Sequence, residues 1–189
     1  RRCYEQVVLD ASLHNVNVRL IGNGGGLVYA PLGPTHLAIE DMAIMRTIPN
    51  MTIVAPADAD EMRRFMPHTV DHQGPIYIRL AKGYDPIVTN DDTPFEIGKA
   101  ISMRQGTDAL ILTTGITLKT GLDAAAMLEE QSVSAGVLHV HTVKPLDVEG
   151  IMDRIADVRT IVAVEEHTVI GGLGSAVAEL VAEAGFDPA

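Results

Sequence analysis

Short apolar runs rich in β-branched residues alternate with helical patterns along most of this 189-residue chain. Residues 16–21, 52–54 and 76–80 form such runs, and each has the length of a strand rather than of a helix. Between these runs, apolar residues recur at helical spacing over 38–46 and 59–70. Alternation of this kind is typical of βαβ units, so it predicts an α/β fold with a mostly parallel sheet.

The alternation starts a second time after a polar, turn-rich stretch that predicts a linker over 89–95. Strands are predicted there over 109–113, 136–142 and 160–164, and helices over 118–130, 148–155 and 175–183. We therefore predict two α/β domains with mostly parallel sheets, over 1–88 and 96–189. A helical pattern already occupies 1–13 without a preceding N-cap residue, which predicts that the first domain is incomplete at its N-terminus.

Composition and charge argue against several classes of partner. The net charge is −11 and the pI is near 4.9, whereas a surface that binds nucleic acid or an anionic membrane needs a basic face. No run in the sequence approaches the roughly 20 apolar residues that span a bilayer. The chain has a single cysteine, Cys3, which cannot form an internal disulfide. We expect Cys3 to be a packed thiol in a reducing compartment, the cytoplasm.

A glycine-rich segment over 22–36 follows the first predicted strand and ends in His36. α/β folds place ligands at the carboxyl ends of their strands, and glycines let the backbone approach a ligand closely. Pro34 stiffens the turn that presents His36. A histidine in this position can donate a hydrogen bond to a substrate oxygen, or exchange a proton with it, near neutral pH. The pattern fits equally a surface loop in which Thr35 caps a helix.

Several motifs in a fixed order extend over nearly the whole chain. They are Gly33-Pro34-Thr35-His36, Arg46-Thr47-Ile48-Pro49-Asn50, Pro56-Ala57-Asp58, Val143-Lys144-Pro145-Leu146-Asp147 and Glu165-Glu166-His167 with Gly171-Gly172-Leu173-Gly174-Ser175-Ala176. Together they resemble the transketolase family, which includes deoxyxylulose-phosphate synthase and the beta subunits of 2-oxo acid dehydrogenases. The last two motifs look most like the C-terminal subunit of split transketolases.

The resemblance implies a partial pyrimidine-binding domain over 1–88 and a three-layer transketolase C-terminal domain over 96–189. It implies a transferase that uses thiamine diphosphate and Mg²⁺ to move a two-carbon ketol unit between phosphorylated sugars. The cofactor would be shared with an N-terminal diphosphate-binding subunit or domain, and a homodimer is expected. The isolated fragment would be inactive, because the catalytic Glu of the family would precede Arg1.

The resemblance also implies roles for single residues. His36 would be catalytic and would contact the substrate near its reacting groups. Tyr4 and Gln6 would lie near the aminopyrimidine ring. Arg79 would bind a substrate phosphate, with an ion pair at the sheet end as the alternative. His141 would contact a phosphate when protonated, with a packed strand histidine as the alternative.

Departures from the family pattern leave other functions open. Leu32 stands where many sugar-using members have an Asp, and the chain has no Gly-Asp-Gly…Asn motif, so no metal ligand is assigned. Synthesis of deoxyxylulose phosphate, 2-oxo acid decarboxylation and a non-catalytic assembly role are therefore alternatives. For 171–175, close packing or a subunit contact is expected rather than a dinucleotide loop, and His167 is expected to be an interface or packing residue. Asp58 is expected to cap a helix.

Overall fold

The computed structural model describes residues 2–185. Its strands are β1 Arg19–Asn23, β2 Thr52–Val54, β3 Ile76–Leu80, β4 Ile101–Arg104, β5 Ala109–Thr113, β6 Ala135–His139, β7 Thr142–Lys144 and β8 Thr160–Val164. Its α-helices are α1 Tyr4–Gln6, α2 Asp41–Arg46, α3 Ala59–Asp71, α4 Thr117–Glu129, α5 Val148–Ile155 and α6 Leu173–Glu183. No helix within this range is long and apolar enough to cross a membrane.

The first sheet has the strand order β1-β3-β2-β7, and its first three strands are parallel. β3 lies in the middle, where Ile76 pairs with both Arg19 and Thr52. Ile76 and Ile78 are fully buried and pack with Phe65 of α3, whereas Tyr77, on the other face of the strand, packs with Met42 of α2. The predicted mostly parallel α/β fold is therefore confirmed for this sheet.

The predicted strand over 136–142 is in fact two strands that belong to different sheets. β6 lies in the second sheet, whereas β7 pairs antiparallel with β2 of the first sheet. Between them, Val140 N–H donates to Thr113 O at 2.7 Å, and Ala55 N–H donates to His141 O, also at 2.7 Å. A run that is buried throughout shows no change in its apolar pattern where it leaves one sheet for the next, so the sequence could not reveal the break.

The second sheet has the order β4-β6-β5-β8, with β6, β5 and β8 parallel. The sequence missed β4, a short antiparallel edge strand with a register irregularity. Leu110 and Leu112 of β5 are fully buried and pack with Ile151 and Ile155 of α5. The second sheet thus has its own core, and the mostly parallel prediction holds here too.

The N-terminal segment differs from the regular helix predicted over 1–13. Arg1 lies outside the described residues, α1 is a single turn, and residues Val7–Leu13 form a π-helix. Cys3 is exposed rather than packed. It lies with Tyr4, Val7 and Ile44 along a largely apolar groove of about 850 Å³ between this segment and α2.

Candidate active site

In the glycine-rich loop between β1 and the 3₁₀ turn Pro34–His36, backbone N–H groups donate hydrogen bonds to other parts of the protein. Gly24 N–H donates to Ala81 O, Gly25 N–H to Leu80 O and Gly26 N–H to Ala38 O, at 2.8–3.0 Å. The next donor, Leu27 N–H, bonds Glu166 Oε2 at 3.0 Å. A phosphate-binding loop needs free N–H groups that point at the anion. This loop therefore positions other groups and does not itself cradle a phosphate.

The glycines make room for protein side chains rather than for a ligand. A Cβ at Gly25 would lie 2.9 Å from Arg79 Cγ, and one at Gly26 would lie 2.1 Å from Glu166 Oε2. Gly26 also has a φ of +73°, which favours glycine. The loop is thus wedged between β3 and the segment that follows β8.

His36 lies at the end of this braced loop, in the 3₁₀ turn Pro34–His36. Its N–H donates to Gly33 O at 3.0 Å, and Nδ1 lies 3.0 Å from Thr35 Oγ1. The residue is exposed, and no described residue bonds its Nε2. A rigidly mounted imidazole with an open ring nitrogen can bond or protonate a substrate oxygen.

A cleft of about 270 Å³ lies at the carboxyl ends of β1, β2 and β3. We call it the carboxyl-edge cleft, and its lining includes Asn23, Ala57, Lys82 and Tyr84. Lys82 Nζ lies 5.3 Å from the centre of the Tyr29 ring, so a cation–π contact ties it to the loop that carries His36. Lys82 was not predicted as a site residue, although a cation two residues beyond a parallel strand is a signal that could have identified it.

Arg79 is directed away from solvent, and its side chain is 6% exposed. Nε donates to Asp41 Oδ2 at 2.8 Å, and Nη2 donates to Ala38 O at 2.9 Å and Glu166 O at 2.8 Å. Tyr77 Oη donates to the same Asp41 oxygen, and burial together with Asp41 raises the Tyr77 pKa well above its usual value. These are the contacts of the ion-pair alternative.

His141 is also fully buried. Its ring stacks on Phe95 with 4.2 Å between centroids, and Nδ1 lies 2.9 Å from Thr142 Oγ1. Its Nε2 has no hydrogen-bond partner among the described residues. Burial lowers the pKa of His141 to about 4, so the ring is neutral near pH 7. These are the contacts expected of a packed histidine, here in the connection between β6 and β7, since a neutral buried ring cannot meet a phosphate as a cation.

We expect His141 to make the folded state sensitive to acid. Because its folded pKa of about 4 lies below the value near 6.5 of an unfolded histidine, the unfolded chain binds more protons between these pH values. The free energy of unfolding should therefore fall by about 3 kcal/mol as the pH drops from 7 to 4. Urea unfolding at several pH values would measure this, and a His141→Phe variant should lose this part of the dependence. An unchanged slope in the variant would contradict the assignment.

The two residues expected near the aminopyrimidine ring take different positions. Tyr4 is 41% exposed and lines the apolar groove, whereas Gln6 is exposed and is not among the groove residues. A half-exposed phenol beside apolar walls suits stacking against an aromatic ring. For the diphosphate and its metal, residues 2–185 contain no cluster of three acidic, histidine or cysteine ligands. Among the described residues, the groove beside Tyr4 thus has apolar walls that suit an aromatic ring.

The glycine-rich connection over 171–175 packs the two domains together. Glu165 accepts hydrogen bonds from Leu173 N–H at 2.7 Å and Gly174 N–H at 2.9 Å, so its carboxylate occupies the start of α6. Arg46 donates to Gly171 O at 3.0 Å. His167 Nε2 accepts a hydrogen bond from Ala43 N–H at 3.3 Å. The predicted packing role of this connection is confirmed, and His167 makes the contact of a packing residue.

Asp58, His68 and His72 have structural partners. Asp58 accepts a hydrogen bond from Glu61 N–H at 2.8 Å and caps α3, as predicted. His72 Nε2 lies 3.1 Å from Thr52 Oγ1, and the His68 ring lies 5.5 Å from Phe95. The two histidines therefore do not form a metal site with a third ligand in the described part of the chain.

The chain matches family models and curated relatives over nearly its full length. Residues 1–84 match the pyrimidine-binding domain of transketolase, and residues 98–188 match the transketolase C-terminal domain. A 6-deoxy-6-sulfo-D-fructose transketolase subunit of a Clostridium species is 40% identical over 97% of this chain and 57% of its own length. An apulose-4-phosphate transketolase subunit of Phocaeicola vulgatus is 39% identical over 96% and 59%. A 1-deoxy-D-xylulose-5-phosphate synthase of Symbiobacterium thermophilum is 38% identical over 99% and 29%.

A solved structure has the same fold. A split-gene transketolase, described as an inactive β4 tetramer, superposes with a TM-score of 0.90 and is 36% identical over 99% of this chain and 60% of its own. The chain thus spans a little over half the length of the split-transketolase relatives it matches. With both family models in order along the chain, it belongs to the transketolase family and carries the family's pyrimidine-binding and C-terminal domains.

Proposed function

We propose that this chain is the pyrimidine-side part of a thiamine-diphosphate-dependent enzyme that transfers a two-carbon ketol unit between phosphorylated sugars. The observation that carries the proposal is the exposed His36 on a braced loop, at the same sheet edge as the cleft with Lys82. This edge offers one group for proton exchange and one cation for a phosphate. When bound, thiamine diphosphate supplies the nucleophilic carbon and the electron sink for carbon–carbon cleavage.

The residues of this chain would orient the substrate and move protons. His36 would hydrogen-bond the oxygen of the reacting carbonyl or hydroxyl group and exchange its proton there. Lys82 would bind the phosphate as a point charge. Tyr4 would lie against the aminopyrimidine ring, and Gln6 would lie nearby on the same turn. The diphosphate and Mg²⁺ would be held by a separate diphosphate-binding subunit or domain.

The proposed assembly contains that partner and more than one copy of this chain. Relatives that match over almost the whole chain are named as subunits of transketolases. The structural relative is described as a tetramer of beta chains that is inactive. We therefore propose that an assembly of this chain alone is inactive. An assembly that also contains the diphosphate-binding partner should be active.

The activity test combines the full-length protein with a diphosphate-domain subunit encoded in the same genome. Thiamine diphosphate, Mg²⁺, a ketose phosphate and an aldose phosphate are added, and ketol transfer is followed with each component omitted in turn. Transfer that depends on all components supports the proposal. If all donors fail yet the complex assembles, a non-catalytic assembly role replaces it.

A second candidate is synthesis of deoxyxylulose phosphate from pyruvate and glyceraldehyde 3-phosphate. One relative with that name matches 99% of the chain, and the loop over 22–36 contains no charged residue that would bind a sugar hydroxyl. Leu32 in this loop is exposed. Pyruvate consumption by the same assembly, without ketol transfer, would favour this candidate.

We expect Lys82→Ala to raise KM for the phosphorylated donor by about 10- to 100-fold, since a charged hydrogen bond contributes about 1.5–3 kcal/mol. Lys82→Arg should keep KM near the wild-type value because it keeps the cation. Lys119→Ala is the matched control, since Lys119 is a helix-surface cation paired with Asp123. Equal KM values for Lys82→Ala and Lys119→Ala would remove Lys82 from the phosphate site.

A further inference from the structure

A buried carboxylate, that of Glu61, lies directly behind the wall of the carboxyl-edge cleft. The residue belongs to α3 and is 0% exposed. Its Oε2 accepts a hydrogen bond of 2.6 Å from Ala57 N–H, and Ala57 lines the cleft. Glu61 itself is not among the lining residues. It therefore holds the cleft wall in place from inside the protein.

The same oxygen meets a histidine of the second domain. His139 Nε2 lies 3.0 Å from Glu61 Oε2, and His139 is also 0% exposed. Because an ionised carboxylate only accepts hydrogen bonds, Nε2 must carry the hydrogen. On its other side, His139 Nδ1 lies 3.3 Å from Thr113 Oγ1, which orients the ring.

The contact with His139 stabilises the ionised form of Glu61. Burial alone would raise the pKa of Glu61, but His139, together with His141 and the Ala57 N–H, more than offsets burial, and the pKa lies below its usual value. Oε1 has no hydrogen-bond partner among the described residues. Without His139, a buried charge would retain the Ala57 N–H on Oε2 as its one hydrogen-bond donor, which is unfavourable in a dry interior.

The residue directly before the cleft wall, Ala55, is also joined to the second domain. Ala55 N–H donates to His141 O, and Ala55 O accepts from Gly115 N–H at 3.0 Å. These backbone contacts fix the position of Ala55, next to the lining residue Pro56. The contact through Glu61 and His139 holds the wall at Ala57, directly beside the cleft.

We propose that Glu61 and His139 form a positioning pair through which the second domain sets the shape of the carboxyl-edge cleft. The inference rests on the proposed function, in which Lys82 binds the substrate phosphate in that cleft. The pair touches no reacting atom and acts through the backbone of Ala57. Its loss should weaken binding of a phosphorylated ligand and leave the chemical step at His36 nearly intact.

The test uses the full-length protein assembled with its diphosphate-domain partner, thiamine diphosphate and Mg²⁺. We would measure kcat and KM for a ketose phosphate donor, and the dissociation constant of inorganic phosphate by calorimetry. His139→Leu should raise KM and the phosphate dissociation constant on the order of 10-fold, with kcat within about twofold, because a small displacement of the wall misplaces the anion. His139→Asn still offers a donor to Glu61 and should restore both constants.

Phe95→Leu is the control for general packing at the same joint. Phe95 stacks on His141 and packs against Phe65, so the variant should melt at a lower temperature yet keep both constants. If Phe95→Leu raises them as much as His139→Leu, loose packing is the cause and the positioning role is wrong. Unchanged constants in His139→Leu would also overturn it.

Two further measurements separate the possible failures. If His139→Leu does not fold, Glu61→Met is measured instead, since it removes the acceptor of both hydrogen bonds and the buried charge together. Unchanged constants in that variant overturn the inference. If the wild-type assembly binds phosphate but transfers no ketol unit, the proposed function fails while the phosphate measurement still reports on the pair. If it binds no phosphate, the cleft is not the anion site and the inference falls with it.

Discussion

Replacing His36 with alanine should lower kcat of the assembled enzyme by about 10²- to 10⁴-fold, the usual contribution of a positioned proton-transfer group. The fold should be unaffected, because His36 is exposed. Among the described residues, its side chain has a hydrogen-bond partner only in Thr35. Steady-state kinetics give the activity, and circular dichroism with thermal melting shows that the variant is folded.

The conservative variant separates the two possible roles of His36. His36→Gln keeps a hydrogen-bond donor and removes the proton exchange near neutral pH. A partial recovery of kcat in this variant would assign mainly hydrogen bonding to His36. His14→Ala removes another exposed histidine, at the end of the π-helix, and should not change kcat. A His36→Ala enzyme with kcat within threefold of wild type would contradict the proposal (threefold is about 0.6 kcal/mol).

Replacing Arg79 with alanine should destabilise the fold by about 3–5 kcal/mol, because it leaves a buried carboxylate without its charged partner. The side chains of Arg79 and Asp41 are 6% and 13% exposed. The guanidinium also bonds the carbonyl oxygens of Ala38 and Glu166, so the change removes a link between α2, β3 and the second domain. Urea unfolding at neutral pH measures the loss.

Two comparisons test whether burial of the Arg79–Asp41 ion pair causes this loss of stability. Arg63→Ala removes an exposed ion pair with Asp91, and it should leave stability unchanged because solvent screens such pairs. Adding Asp41→Asn to Arg79→Ala should recover part of the loss, since the unpaired charge is then gone. A loss in Arg79→Ala no larger than in Arg63→Ala would show that the pair contributes little.

The two basic residues at the end of β3 show where sequence reasoning stops. Arg79 and Lys82 are three positions apart, and the local sequence does not indicate which of the two side chains is buried. Asp41, 38 residues away, and Glu166, 87 residues away, cover Arg79. Lys82 lies beyond the strand and remains exposed. Because the residues that cover Arg79 come from remote segments, the sequence could not show that this cation is buried.

The glycine-rich loop shows a similar limit. Its position after a strand and its terminal His36 were predictable, because the glycines, Pro34 and the strand before them are local features. The hydrogen-bond partners of its N–H groups could not be predicted, since Glu166 contacts Gly26 and Leu27 from the second domain.

The sequence by itself determined the two α/β units, the parallel strands of both sheets, the helix cap at Asp58 and the loop that presents His36, because each depends on periodicity and turn residues within a few positions. Only the tertiary structure decided that β7 crosses into the first sheet, that Arg79 is buried, and that Glu61 meets His139. These features arise from hydrogen bonds and burial between segments far apart in the chain, and no local pattern records which distant group will cover a given side chain.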